Sequence, residues 1–256
     1  MCLICFNLKN IIMNYGDLTW EEALKESHET LLTTHPRSPK KLIPPHQWIK
    51  ETLKIYLGPG YEFYAAGEGN GKFDHEYKVS GLFYDKMVDI TVVKNGKVKG
   101  AVSFKFVASN YSQNSNNYFE NLVGECFNIQ AMDIPFCHVF VIRDKIPYYN
   151  RDRNVQKYEQ FTQHNLDKYL KLNRFNDKGA PSKLSMSIIH ITGDEYKGDI
   201  IHPESFKELD TATKTKILEN IDVNVSEYKE YSSSVANELK SMEVNKVLKE
   251  FADLIK

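Results

Sequence analysis

The chain has 256 residues, 41% hydrophobic and 26% charged, ordinary for a globular protein and long enough to bury a proper core. A formal net charge of -1 excludes a globally basic, phosphate-seeking surface, although local charge can still serve DNA or RNA. The four cysteines (Cys2, Cys5, Cys126, Cys137) form no disulfide framework, which predicts a reducing, cytoplasmic setting.

The start MCLICFNLKNIIM has no basic flank or small-residue cleavage site, and Asn7, Lys9 and Asn10 interrupt it, so no signal peptide is expected. Cys2 and Cys5 have CxxC spacing but no second ligand pair nearby, and read as apolar residues of a terminal segment. No stretch is long and apolar enough to span a membrane. A first helix begins at Thr19, which makes a capping box with Glu22. Trp20, Ala23, Leu24 and Leu31 follow at helical spacing. A basic, Pro-rich connector, THPRSPKKLIPP, leads to a second helix in HQWIKETLKIYL that Gly58-Pro59-Gly60 stops. Tyr61 to Ala66 reads as a strand, and GEGNGK as a flexible turn without Walker spacing. Glu68, Asp74 and Glu76 are read as surface charges that a neighbouring site could recruit.

The stretch from Tyr84 to Glu125 carries the chemistry. A three-residue loop, Lys94-Asn95-Gly96, pairs Val93 with Lys97 and gives a hairpin with one apolar face: Val88 opposite Val102, Ile90 opposite Gly100, Val92 opposite Val98. The other face then holds Asp89 opposite Ala101, Thr91 opposite Lys99, and Ser103 and Lys105 further along. ASNYSQNSN reads as irregular. In the helix NNYFENLVGECFNIQ, the stripe Phe119, Val123, Cys126 and Gln130 faces inward. Glu120 stands a quarter-turn from that stripe's centre and Glu125 nearly opposite it. Glu120 is therefore the favoured acid, with Glu125 and Glu76 as alternatives.

Phe136 to Ile142 reads as a central strand after a crossover helix, with His138 a core or surface histidine rather than a ligand. The segment from Arg143 to Asn165 concentrates Arg143, Lys145, Tyr149, Asn150, Arg151, Arg153 and Lys157. These donor types suit phosphates and base edges, although a solvated loop and a polar helix fit equally. Ser185 to Gly193 is another strand. Past Pro203 the chain turns helical, with amphipathic tails suited to the core or to a dimer surface.

An acid and a lysine on adjacent strands, with a further acid on the next helix, suit metal-assisted phosphodiester hydrolysis. Met87-Val88-Asp89 and Val102-Ser103-Phe104-Lys105 resemble the motifs of the PD-(D/E)xK nuclease superfamily, most closely type II restriction endonucleases with an SxK variant. In that branch a glutamate on the following helix replaces the missing acid, and Glu120 occupies the matching place. No proline precedes Asp89, unlike the plain pattern. The resemblance implies an α/β restriction-endonuclease-like core: a central mixed β-sheet flanked by helices, with helical N- and C-terminal additions, in one domain over 1–256 (core about 61–200). It implies Mg²⁺ on Asp89, Glu120 and the Phe104 carbonyl, with Lys105 serving the attacking water and Ser103 nearby. It also implies a homodimer cutting both strands of DNA at a short site. Two other readings stand beside it: a related DNA repair, junction or RNA nuclease, and a non-enzymatic interaction protein.

Overall fold

Thr19 opens a long helix as the sequence expects, its hydroxyl accepting from the Glu22 amide while the Glu22 carboxylate caps the Thr19 amide. The computed structural model describes residues 15–35, 37–67, 69 and 71–256, so the Cys2–Cys5 spacing and Glu68 lie outside the described residues. That helix is α1 (Trp20–Thr33), and α2 (Ile43–Leu57) follows. The helix begins at Ile43, earlier than the sequence suggests, because Pro44 and Pro45 sit in a first turn where no amide partner is needed. It ends at Gly58, whose φ of 72° only glycine adopts cheaply.

Strands β1 (Glu62–Ala65), β2 (Tyr77–Val79), β3 (Lys86–Val88), β4 (Ile90–Lys94) and β5 (Lys97–Val107) come next. Helix α3 (Tyr111–Gln130) crosses over to β6 (Phe136–Arg143). A hairpin of β7 (Lys145–Tyr149) and β8 (Val155–Gln160), then α4 (Gln163–Arg174), precede β9 (Lys183–Thr192). The remainder is β10 (Glu195–Tyr196), β11 (Asp199–Ile200), α5 (Pro203–Lys207), α6 (Thr211–Asn220), β12 (Asp222–Val225), α7 (Ser233–Ser241) and α8 (Val244–Ile255). The fold is α/β. Its central sheet has six strands in the order β1-β4-β5-β6-β9-β12, with β5, β6 and β9 parallel and the outer pairings antiparallel. β12 falls between the two stretches that read as helical, because a four-residue segment carries too little periodicity to mark an edge strand.

Each face of the sheet has its own apolar layer. Val102, Phe104, Val139, Val141 and Ile189 face α1, α2 and α8, whereas Ala101, Phe136, Phe140 and Ile188 face α3, α4 and α7. Helix α8 alone buries Val247, Leu248, Phe251 and Ile255, each worth roughly 1.5–3 kcal/mol of transfer free energy, so this C-terminal tail belongs to the core. Gly100 permits the approach, since a Cβ there would lie 2.8 Å from the Phe251 ring.

The β4–β5 hairpin corrects the expected register. The turn is the two-residue Asn95-Gly96, both with positive φ (53° and 71°), and Lys94 pairs with Lys97. Val93 pairs with Val98 but Val92 with Gly100, so Lys99 is an extra residue, a β-bulge. Beyond it Ile90 faces Val102 and Thr91 faces Ala101. The two-residue turn and the bulge together keep the expected parity but shift the pairing by two, so Ile90 meets Val102 rather than Gly100, and Val88, expected opposite Val102, instead pairs with Tyr77 of β2 and joins the α3 layer. Val98, on the turn side of the bulge, joins the α3 layer instead of facing Val92.

Candidate active site

Asp89 is the single residue between β3, which pairs with β2, and β4, which joins the central sheet. The β4–β5 ladder stops at Ile90–Val102, leaving the Phe104 amide without a β4 partner, and the Asp89 carboxylate replaces it at 2.7 Å. The Ser103 hydroxyl is a second partner of that carboxylate. Burial pushes the Asp89 carboxyl up to about 6, the Phe104 amide opposes the rise, and the Glu125 charge adds to it. Burial also lowers the Lys105 ammonium, while Asp89 and then Glu125 act to raise it. The structure thus brings Asp89, Ser103 and Lys105 together on the α3 side of the sheet.

Glu125, not Glu120, completes the group. Ser103, Lys105, Tyr118, Asn121, Glu125 and His138 line one cleft of about 110 Å³. Glu120 is exposed on the far side of α3, where its charge acts on Lys168. The reason is a rotation of the helix. After Tyr111 in its first turn, the apolar residues it buries are Leu122, Cys126 and Ile129, while Phe119 and Val123 of the expected stripe are only half-buried. At about 100° per residue this turns the inward face by roughly 60°, carrying Glu125 toward the sheet and Glu120 away. The helix also starts earlier: Tyr111 to Asn116, read as irregular, form its opening turns after Asn110, which is left-handed with φ 50°.

Lys86, which the sequence did not single out, donates to the Glu125 carboxylate. Burial pulls its ammonium down, but the hydrogen bond and charge of Glu125 more than restore it. The loop before Lys86 is held by Asn128, whose Oδ1 accepts from the Phe83 amide at 2.9 Å and whose Nδ2 donates to the Tyr84 carbonyl at 3.0 Å. Gly81 makes room, since a Cβ there would meet the Asn128 side chain at 2.1 Å.

Two further acids lie nearby with different duties. Glu76 is half-buried and held above the usual carboxylate range by burial and then by the Asp89 charge. Asp74 instead accepts from the Gly71 amide at 3.1 Å and faces Lys50 at 3.8 Å. His46 is fully buried, with neither ring nitrogen partnered, and burial drops it to about 4. Its ring stands edge-on to Phe104 at 5.4 Å. His138 is buried too, held neutral at about 3 by burial and the Lys105 charge, and its Nδ1 has no partner. It pairs across the sheet with Ser103, so it walls the cleft rather than filling the core.

The basic segment from Arg143 onward divides. Arg143 is a buried structural residue. Its guanidinium donates to Asp194 at 2.5 and 3.0 Å and to the Ile191 carbonyl at 2.9 Å, while His28 Nε2 lies 2.9 Å from the same carboxylate. Most of the segment forms the β7–β8 hairpin rather than a loop, and its last residues, from Gln163, open α4. Lys145 lies 4.2 Å from the Tyr158 ring centre, and Lys157 lies 5.1 Å from that of Tyr148 and 3.2 Å from Glu159. Asn150 accepts from the Asn154 amide at 3.0 Å and Arg153 reaches Glu208 at 2.7 Å, with Arg151 exposed beside them. The Tyr149 hydroxyl donates to the Ile201 carbonyl at 3.2 Å, and its ring meets His202 edge-on at 4.8 Å.

Comparison with family models, curated proteins and solved structures gives no match for this chain. No described helix is long and apolar enough to cross a membrane.

Proposed function

We propose that the protein is a Mg²⁺-dependent endonuclease that hydrolyses phosphodiester bonds in double-stranded DNA, as type II restriction endonucleases do at short specific sites. The supporting observation is the convergence of Asp89, Glu125 and Lys105 beside one cleft, from a strand switch, a crossover helix and the strand between them. The donor set suits the ion. Asp89 and Glu125 offer hard oxygens, and Mg²⁺ is commonly held by one or two carboxylates with water and substrate phosphate supplying the rest. Among the described residues no group of three or more His, Cys, Asp or Glu side chains is arranged to hold a metal, so phosphate oxygens would have to complete the shell.

The chemistry the ion supplies is electrophilic: charge stabilisation at the phosphate and a lower pKa for the attacking water. The remaining roles fall to the chain. The Phe104 amide and Ser103 fix Asp89 in orientation. Lys105, its ammonium already lowered by burial, holds the attacking water or neutralises charge that develops on the phosphate. Ser103 stands where the plain motif has an acid, so Glu125 takes the duty that the resemblance gives to a glutamate on the following helix. Exposed Arg151, with Lys145 and Lys157 on the β7–β8 hairpin, provides the phosphate contacts. Cutting both strands calls for a second copy of the chain, and a homodimer belongs to the same proposal.

A non-catalytic interaction protein is favoured by one observation, that Lys86 is already paired with Glu125. Incubation of unmethylated phage DNA with the protein and Mg²⁺ separates the two. Discrete bands from the wild type, absent with Asp89→Ala and Lys105→Ala, support the nuclease. Full activity in either variant would sink the assignment.

A further inference from the structure

A second, larger groove opens on the other side of Lys105. It measures about 300 Å³ and is walled by Lys41, Lys105, Ser109, Tyr118, Tyr149 and His202, together with apolar residues and Ser27. Lys105 and Tyr118 also line the 110 Å³ cleft, so the two spaces share a wall. No carboxylate lines the groove. The smaller cleft holds only a few waters at about 30 Å³ each, room for a phosphate but not for a nucleotide. The larger groove falls at the lower end of the range of small-ligand sites, about 300–1,000 Å³, which accommodates one nucleotide unit.

Resting on the nuclease reading, we propose that this groove is a nucleotide subsite in which Lys41 and Lys105 grip the internal phosphodiester next to the one being cut. Lys41 arrives from the segment before α2, far in sequence from Lys105, and its backbone is pinned because its carbonyl accepts from the Ser27 hydroxyl at 2.6 Å. Burial, and then the Lys105 charge, lower the Lys41 ammonium. Two ammonium groups on the wall of one acid-free groove favour a bound anion there. Tyr149 and His202, held edge-on to each other, add an aromatic wall against which a sugar or base can pack. A strand threaded from the cleft past Lys105 therefore enters a cationic slot wide enough for its next residue.

The test is equilibrium binding of a single-stranded thymidine hexamer to the full chain by fluorescence anisotropy, over a range of salt and without divalent ions. Lys41→Gln and Ser109→Glu are expected to weaken binding about tenfold. Losing one phosphate contact should also reduce the slope of log affinity against log salt by about 0.7 in Lys41→Gln. Lys41→Arg should restore both affinity and slope, and all variants should melt like the wild type. Wild-type affinity and slope in Lys41→Gln, or no hexamer binding by the wild type, would overturn the subsite. So would binding that requires a 5′-phosphate, or that inorganic phosphate abolishes at the hexamer's own concentration, since either means a terminal or free phosphate. A wild type that binds through Lys41 yet cuts no DNA with Mg²⁺ would keep the subsite and remove the nuclease. Cutting that ignores Lys41 in both binding and salt slope would do the reverse.

Discussion

The Lys86 ammonium donates to the Glu125 carboxylate, so a residue just before Asp89 supplies the counter-charge of the acid on the crossover helix. The pair offsets only part of the Glu125 charge, and Asp89, a few positions on, still feels both groups. A divalent cation and Lys86 therefore compete for the same carboxylate. Replacing the lysine by an uncharged residue of similar length, Lys86→Met, should tighten Mg²⁺ or Mn²⁺ binding about fivefold, equivalent to about 1 kcal/mol for a partly exposed pair. Calorimetry reads this directly, and unchanged or weaker metal binding would show that Lys86 is not the competitor.

The rotation of α3 makes a second outcome specific. Glu125→Gln removes a carboxylate from the cleft wall and should lower Mg²⁺-dependent DNA cleavage by at least about a hundredfold, the scale of losing a preorganised electrostatic group. Glu120→Gln alters an exposed residue whose charge acts on Lys168, and should leave cleavage within about twofold. Cleavage rates of the two variants under identical salt decide between the acids, and the opposite ranking would return Glu120 to the site.

How far the sequence could be read depended on which physical constraint was local. The faces of β5 follow from alternation and burial, so Asp89, Ser103 and Lys105 could be grouped without coordinates. The Asn95-Gly96 turn and the Lys99 bulge compensate each other, and parity alone cannot tell that pair from a longer loop. The α3 face was harder, because Phe119, Leu122, Val123 and Ile129 spread around more than one side and the tertiary layer chose among them. Asn128 shows the same limit. A polar residue mid-helix gives no local sign that it will clamp the loop at Tyr84. Arg143 misled for the converse reason: its buried partner Asp194 lies 51 residues away, beyond any pattern of spacing.

Arg143 should accordingly behave as a folding residue. Arg143→Met leaves Asp194 buried without its guanidinium, and breaking such a pair costs about 3–5 kcal/mol. The hydrogen bonds of His28 and Arg143 outweigh burial and hold the Asp194 carboxyl down at about 2, below the ordinary 3.8. A depressed folded-state pKa stabilises the fold above the unfolded value, and the stability is lost as pH falls from about 4 to 2. Urea titrations should show the wild type losing stability over that acid window and Arg143→Met losing less. DNA binding that falls with no change in urea midpoint would instead place Arg143 on an interface.

Asp89 carries the opposite sign. Its carboxyl is pushed up from 3.8 to about 6 by burial, so the folded protein holds this proton more tightly than the unfolded chain does. Below about 4 both states are protonated and nothing is lost. As pH rises to about 6 the fold is progressively penalised, and at about 1.4 kcal/mol per pH unit of displacement the cost reaches at most about 3 kcal/mol. Asp89→Asn keeps an oxygen that can accept from the Phe104 amide and removes the charge. It should therefore raise the urea midpoint at pH 8, leave it nearly unchanged at pH 4, and abolish Mg²⁺-dependent cleavage. A stabilised but inactive variant is what a carboxylate retained for cation binding predicts. A variant destabilised equally at both pH values would mean that Asp89 serves the fold, with the strand switch depending on its charge.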